Sequence, residues 1–311
     1  MLLFAPIAAV AAAWGACALF VHLRGRERLA LMRQVADHST FLAPYNAFVY
    51  FFSGVPNRPM LDVADFPALR PLQAGWPTIR EEALALHRAG HLRKAARHDD
   101  IAFNSFYKRD WRRFYVKWYG ATVPSARALC PRTAELVAQV PGVRAAMFAL
   151  LAPRSHLVRH RDPFAGSLRY HLGLVVPAGD RCRILVDGTP YRWREGEAVL
   201  FDETYIHRAE NETDEPRIIL FCDVERPLRG GLATAVNRFV IHHVMPATAT
   251  ANVEGDPIGL VNRVFERVYT IRLLAKRIRA RSRRTYYVLS YTAKLAPIAA
   301  LLWLGLRAAA R

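Results

Sequence analysis

After residue 142 the chain breaks into short β-rich runs with no helical pattern between them. AAMFALL (145–151), LRYHLGLVV (168–176), CRILVD (182–187), YRWR (191–194), EAVLF (197–201) and RIILFCD (217–223) are separated by Pro-Ala-Gly-Asp, Asp-Gly-Thr-Pro and Glu-Gly turns. Short strands without intervening helices bury their apolar faces against a second sheet, so six such runs in about eighty residues point to a double-sheet jelly roll or cupin-like barrel. Such a barrel has an open mouth where a small ligand and a metal can sit.

Polar residues on and beside these runs carry the chemistry. His160-Arg161-Asp162 lies just before the run at 168–176, and His207 follows Asp162 by 45 residues, just past the run at 197–201. Side chains alternate along extended backbone, so His160 and Asp162 point one way and Arg161 the other. Two imidazoles and one carboxylate occupy one face of an octahedral ion and leave the opposite face open, the facial arrangement of non-haem Fe(II) oxygenases. Arg217 opens an otherwise apolar run ten residues after His207, where a guanidinium is costly unless it meets an anion. A dicarboxylate cosubstrate chelating iron through a 2-oxo acid end would present its far carboxylate to such an arginine in bidentate geometry. Arg169 and His171 alternate on one run and so share a face. Singly, each residue has an ordinary explanation: a surface histidine at 207, a satisfied core histidine at 171, a solvent-facing Arg169, an Arg217 paired with a neighbouring acid. Their joint order and spacing favour a metal site, with His160, Asp162 and His207 as catalytic and metal-binding residues.

The ends of the chain suggest where this barrel works. Residues 2–21 carry no charge over about twenty residues, bilayer-crossing length, and Arg24, Arg26 and Arg28 come directly after them. Positive charge after the apolar run favours an uncleaved anchor over a cleaved signal peptide and puts the chain from Arg24 onward in the cytoplasm. Residues 263–284 hold nine basic residues against Glu266 alone. The apolar stretch beyond them, interrupted by Lys294 and Pro297, is expected to span the bilayer or to lie in its interface. The net charge of +18 requires an anionic neighbour. Nearly half of it borders the two apolar ends, which makes that neighbour a phosphorylated membrane surface rather than nucleic acid. The 39 Arg against 5 Lys also reflect compositional bias. A hydrophobic content of 52% excludes a disordered chain, and four scattered cysteines without CxxC spacing fit a reducing compartment.

Residues 57–142 read as helical and aromatic. Thr78 with Glu81 forms a capping box for a helix running on through EALALHRAGHLRK, and a second helix begins near Pro131 and stops before Pro141-Gly142. Between them, FNSFYKRDWRRFYVKWYG reads as a pair of aromatic core strands with a basic outer face rather than as a base-stacking surface. FLAPYNAFVYFF (41–52) is too short to span and is either a buried segment or a patch dipping into the interface. The expected organisation is an N-terminal transmembrane anchor (1–23), a cytoplasmic helical and aromatic region (24–142), the barrel core (143–230), a basic juxtamembrane region (231–284) and a C-terminal transmembrane or interfacial helix (285–307). The fold class is α+β with a mainly β catalytic core, flanking helices and membrane helices at both ends.

The stretch from Pro153 through Pro227, with HRDPFAGSLRYHLGLVVP, EGEAVLFDETYIH and RIILFCDVERP, resembles the aspartyl/asparaginyl β-hydroxylase family. That family comprises iron- and 2-oxoglutarate-dependent dioxygenases with a double-stranded β-helix fold. Its pattern is an iron histidine, an Arg nine and a His eleven residues on, then a second iron histidine with an Arg ten further, and His160, Arg169, His171, His207 and Arg217 match all five positions. The resemblance implies Fe(II), O₂ and 2-oxoglutarate as cofactors and cosubstrates, with succinate and CO₂ released. It also implies that Arg169 and His171 hold the 1-carboxylate end of 2-oxoglutarate and Arg217 its 5-carboxylate. Two positions depart from the animal peptidyl hydroxylases. Asp162 stands where they have Gly, which makes a full triad available, and Ala149 stands where they use a Ser for the 5-carboxylate.

HRDPFAGSLRYHLGL, together with DHSTFLAPYNAF and the apolar ends, is similar to the bacterial lipid A 2-hydroxylases, which act from the cytoplasmic side of the inner membrane. By that resemblance the chain is expected to hydroxylate carbon 2 of an acyl chain of lipid A or a similar anionic membrane lipid. Its expected place is the bacterial inner (cytoplasmic) membrane, with the catalytic domain facing the cytoplasm. Second comes the same chemistry on a protein Asp or Asn side chain, with residues 57–142 forming a peptide groove. Third comes a catalytically silent, membrane-tethered cupin-like binding protein, which the joint presence of Asp162 and Arg217 disfavours. No nucleic-acid partner is expected, and the oligomeric state is open.

Overall fold

In the computed structural model, which describes residues 4–35, 37–93, 100, 110–286 and 288–289, each of the six expected runs is a strand, with ends within two residues of those expected. The strands are β1 (Met60–Leu61), β2 (Trp111–Trp118), β3 (Val143–Leu151), β4 (Ser155–His160), β5 (Ser167–Val175), β6 (Cys182–Val186), β7 (Thr189–Arg192), β8 (Ala198–Phe201), β9 (His207–Asn211) and β10 (Arg217–Glu225). They form a six-stranded sheet, β1-β8-β5-β10-β3-β2, and a four-stranded sheet, β4-β9-β6-β7. All of the pairings are antiparallel. From β3 to β10 the chain passes back and forth between the sheets, pausing only at the β6–β7 hairpin, which is jelly-roll topology. The hairpin turns on Asp187-Gly188, both with positive φ (51° and 81°), as a two-residue turn that matches strand twist requires.

Alternation decides what faces the space between the sheets. Along β10, Arg217, Ile219 and Phe221 line an interior cavity, while Ile218, Leu220 and Cys222 are buried on the opposite face. Along β5, Arg169 and His171 line the same cavity, as their shared parity predicts.

The helices are α1 (Phe4–Leu23), α2 (Leu31–Val35), α3 (His38–Phe41), α4 (Ala43–Phe51), α5 (Arg70–Ala74), α6 (Trp76–Arg88), α7 (Pro124–Leu129), α8 (Pro131–Gln139), α9 (Gly231–Phe239) and α10 (Leu260–Arg281). The amphipathic α6 buries Ile79, Ala83 and Leu86 and packs on β5 and α8; each buried Ile or Leu contributes about 1.5–3 kcal/mol. The expected capping box is absent. Trp76 opens α6 with Gly75 as N-cap and Pro77 in the first turn, so Thr78 lies inside the helix. Glu82 on α6 caps α8 instead, accepting from the N–H groups of Arg132 and Thr133 and from the Thr133 hydroxyl.

β2 also differs from expectation. It is a single edge strand, and residues 103–109 of the aromatic stretch lie outside the described residues. Its arginines do not form a solvated face, because Arg113 is buried with Nε 2.6 Å from Asp100 Oδ2. β1 and β2, from before residue 143, complete the larger sheet. Beyond residue 230, Asn252 bonds both backbone groups of Tyr115, and Asp256 accepts from Ser125. The stretch 41–52 is half-buried: α4 inserts Val49 and Tyr50, while Phe41 and Phe51 face out.

Among the described residues no helix is long and apolar enough to cross a membrane. The expected N-terminal span is not supported among the described residues. The helix expected at 285–307 lies, beyond residue 289, outside them.

The last turn of α1 is fastened to the barrel. Val21 is buried, and its carbonyl accepts from Arg161 Nη1 at 2.7 Å. Arg24, expected to belong to a basic flank facing lipid, pairs with the buried Asp202 at 3.1 Å and lies 3.5 Å over the Tyr50 ring. Asp187 accepts from the N–H groups of Arg26 and Glu27. Buried carboxylates need donors, and the segment after α1 supplies them.

Candidate metal centre

β4 and β9 meet at His160 and His207, which are direct register partners. A bulge between Leu157 and His160 bends β4 before the site. The two imidazole centroids lie 4.2 Å apart with planes 56° from each other. Each Nδ1 sits against the backbone carbonyl two residues earlier, His160 on Val158 at 2.7 Å and His207 on Tyr205 at 3.0 Å. A carbonyl only accepts, so Nδ1 carries the proton and Nε2 is left as the ligating atom. The N–H of Asp162 donates to the Glu203 carbonyl at 2.9 Å, and Asp162 Oδ1 lies 3.8 Å from His160 Nε2. The ligand atoms of His160, Asp162 and His207 all lie within 4.8 Å of one another. Two imidazole nitrogens and one carboxylate oxygen, converging at the end of a barrel, suit a first-row divalent ion such as Fe(II).

The electrostatics agree. Burial lowers His160, and burial together with the His160 charge pushes His207 down to about 3, so both rings are neutral, as metal ligation requires. Burial opposes ionisation of Asp162, yet the Arg169 guanidinium beside it leads the attractions that hold its carboxyl below the ordinary value.

The same cavity is lined by His171, Trp193 and Arg217. Neither ring nitrogen of His171 has a partner among the described residues. Its ring lies 5.1 Å from Phe201 and 5.3 Å from Phe221, and burial pushes its pKa well below the usual histidine value. Arg217 is 2% exposed, its Nε is unbonded, and its guanidinium lies 4.4 Å over the Trp193 ring. Burial lowers it to about 10. Among the described residues no carboxylate pairs with it, so the pocket holds a cation prepared for an anionic ligand. Ala149 on β3 lines the same cavity and offers no hydroxyl.

Arg169 contrasts with Arg217. Its Nη2 is 2.8 Å from Asp162 Oδ2 and contacts Glu203, and its Nε is 2.9 Å from Asp223 Oδ1. Sequence reasoning placed Arg169 in the site but missed Glu203 and Asp223. Asp223 continues the alternation of Arg217, Ile219 and Phe221 and was legible on that ground. Glu203 sits in the loop before His207 and carried no signal.

Residues 73–227 match the family model described as Aspartyl/Asparaginyl beta-hydroxylase. That segment belongs to the aspartyl/asparaginyl β-hydroxylase family. It holds the cluster of His160, Asp162 and His207 together with Arg169, His171 and Arg217. An ornithine lipid ester-linked acyl 2-hydroxylase of Rhizobium tropici is 36% identical over 181 residues, covering 57% of this chain and 64% of its own length. Aspartate beta-hydroxylase domain-containing protein 2 of Xenopus tropicalis is 29% identical over 189 residues, covering 58% of this chain and 50% of its own length. The chain thus spans between half and two thirds of these relatives. Among solved structures, a Pseudomonas putida prolyl-4-hydroxylase overlaps 49% of this chain and 88% of its own at 18% identity, with a TM-score of 0.33.

Proposed function

We propose that the chain is an Fe(II)- and 2-oxoglutarate-dependent dioxygenase that hydroxylates carbon 2 of an acyl chain of a membrane lipid. One observation carries the reading: a single cavity is lined by His160 and His207, which cluster with Asp162, and by the buried Arg217, which meets no carboxylate among the described residues. His160, Asp162 and His207 would hold the iron, which when bound couples O₂ and 2-oxoglutarate to C–H hydroxylation. Arg217 would take the far carboxylate of the cosubstrate, with His171 beside it and the rings of Phe201, Phe221 and Trp193 excluding water. A lipid substrate is favoured by the 36%-identical relative, whose name specifies an acyl 2-hydroxylase. Both lipid A, expected from the sequence resemblance, and an ornithine lipid fall within this class.

Membrane contact is supported by the exposed aromatic rim. Trp14 on α1 and Phe41 on α3 touch at 5.8 Å, and Phe20 and Phe51 are exposed nearby on α1 and α4. The basic α10 adds attraction to anionic headgroups. This surface fits association with the cytoplasmic face of a bacterial inner membrane. Mass spectrometry of total lipids from cells with and without the intact chain tests the substrate. An acylated lipid one oxygen atom heavier is expected, and it is lost with His160→Ala or His207→Ala. Unchanged lipids, with succinate release stimulated by an Asp- or Asn-containing peptide, would replace this reading with peptidyl hydroxylation.

A further inference from the structure

We propose that Arg169 positions Asp162 for the metal and is not a direct partner of the cosubstrate carboxylate. The inference rests on the metal-dependent reading above. Asp162 divides its two oxygens: Oδ1 faces His160 Nε2 at 3.8 Å, and Oδ2 accepts from Arg169 Nη2 at 2.8 Å. Asp162 lies beyond the end of β4, so strand pairing does not fix its side chain. The bond to Arg169 does.

The guanidinium is itself held on several sides. Nε donates to Asp223 Oδ1 at 2.9 Å, Nη2 contacts Glu203, and the Phe221 ring lies 3.6 Å beneath. Those partners are secured in turn, Asp223 Oδ2 by the Tyr119 hydroxyl at 2.8 Å and Glu203 Oε1 by the Ser167 hydroxyl at 2.7 Å. Arg169 and Asp223 are register partners of the paired strands β5 and β10. A continuous set of bonds therefore runs from two core strands to one oxygen of one metal ligand. Charge supports the same assignment: Arg169 meets three carboxylates and has no attraction to spare for a fourth, whereas Arg217 meets none among the described residues. Hydrogen bonds to the outer side of a ligating carboxylate orient it, and their loss typically lowers metal affinity about 10–100-fold.

Co(II), a spectroscopic stand-in for iron, tests this on the full chain. Its affinity and visible absorption are measured for wild type, Arg169→Lys, Asp162→Ala and the double variant, and 2-oxoglutarate affinity is measured at saturating Co(II). Arg169→Lys is expected to weaken Co(II) binding about 10–100-fold and to shift its absorption, while 2-oxoglutarate affinity at saturating metal is retained. In the double variant it should add nothing to Asp162→Ala. Unchanged Co(II) affinity with a large loss of 2-oxoglutarate affinity, or full additivity in the double variant, would overturn the proposal. Should Arg169→Lys fail to fold, Asp223→Asn loosens the Nε end of Arg169 and is read the same way. A loss of Co(II) affinity that vanishes in the Asp162→Ala background supports the proposal, and no loss, or an equal loss in both backgrounds, overturns it. A wild-type chain that binds no divalent ion would overturn the metal-dependent reading itself, so the two failures are distinguishable.

Discussion

Arg169 and Arg217 sit on neighbouring strands of one sheet with the same charge and opposite circumstances. A buried cation with no anion destabilises the ligand-free protein and awaits its ligand. Arg217→Met should therefore raise the 2-oxoglutarate requirement by on the order of 100-fold, while leaving the melting temperature of the ligand-free protein unchanged or higher. Titration of succinate release and a thermal melt measure the two effects. A lowered melting temperature with unchanged cosubstrate dependence would make Arg217 a structural residue.

His171 predicts a pH effect. Its folded-state pKa lies well below 6.5 because of burial, with Arg169 and Arg217 adding to the shift, so the unfolded chain takes up the proton first. Its contribution is complete above the unfolded value near 6.5 and is lost as pH falls below it, by up to about 1.4 kcal/mol per pH unit. Urea denaturation between about pH 6.5 and pH 5 should show a shallower pH dependence for His171→Leu than for wild type, and identical slopes would remove His171 from the account. The six site residues were legible because alternation puts His160 with Asp162, and Arg169 with His171, on shared faces. What each arginine meets was not, since Glu203 comes from a loop 34 residues from Arg169 with no local sign of the pairing.

Elements were legible where apolar runs were unbroken. β4 (SHLVRH) and β9 (HRAEN) were missed as strands because neither carries an apolar run: β4 mixes half-buried with exposed residues and is bulged, and β9 alternates buried with half-buried residues that are mostly polar. The basic residues after α1 misled for a different reason: Arg24 reads the same in sequence whether it meets lipid headgroups or a buried acid. Asp202 is that acid, paired with Arg24 at 3.1 Å and with the buried Arg226 at 2.8 Å. Asp202→Asn would leave two buried guanidinium groups without their counter-charge and should destabilise the fold by about 3–5 kcal/mol, read from urea denaturation. A change below about 1 kcal/mol would show that the pairs are dispensable.

For the molecule as a whole, the jelly roll was legible because six short runs without helices admit few architectures. The recruitment of β1 and β2 from residues before 143 was not, since their pairings join segments far apart in the chain. The net charge of +18 and the exposed aromatic residues predict binding to vesicles containing anionic lipid. Binding measured by flotation should weaken with salt, because a Debye length of about 10 Å at 0.1 M screens surface charge, and Phe41→Ser with Phe51→Ser should weaken it further at any salt. Equal binding to neutral vesicles at high salt would remove the electrostatic component.

The end of α1 reaches the site through two bonds with no spare chain between them. Arg161, which holds the Val21 carbonyl, stands between His160 and Asp162. Asp202, which holds Arg24, begins the loop that ends at His207. These bonds tie the end of α1 to both segments that carry the His-Asp-His cluster. On the proposed lipid reading, the depth of α1 in a surface would set the working height of the cavity, and the reacting carbon would be chosen by altitude rather than by search.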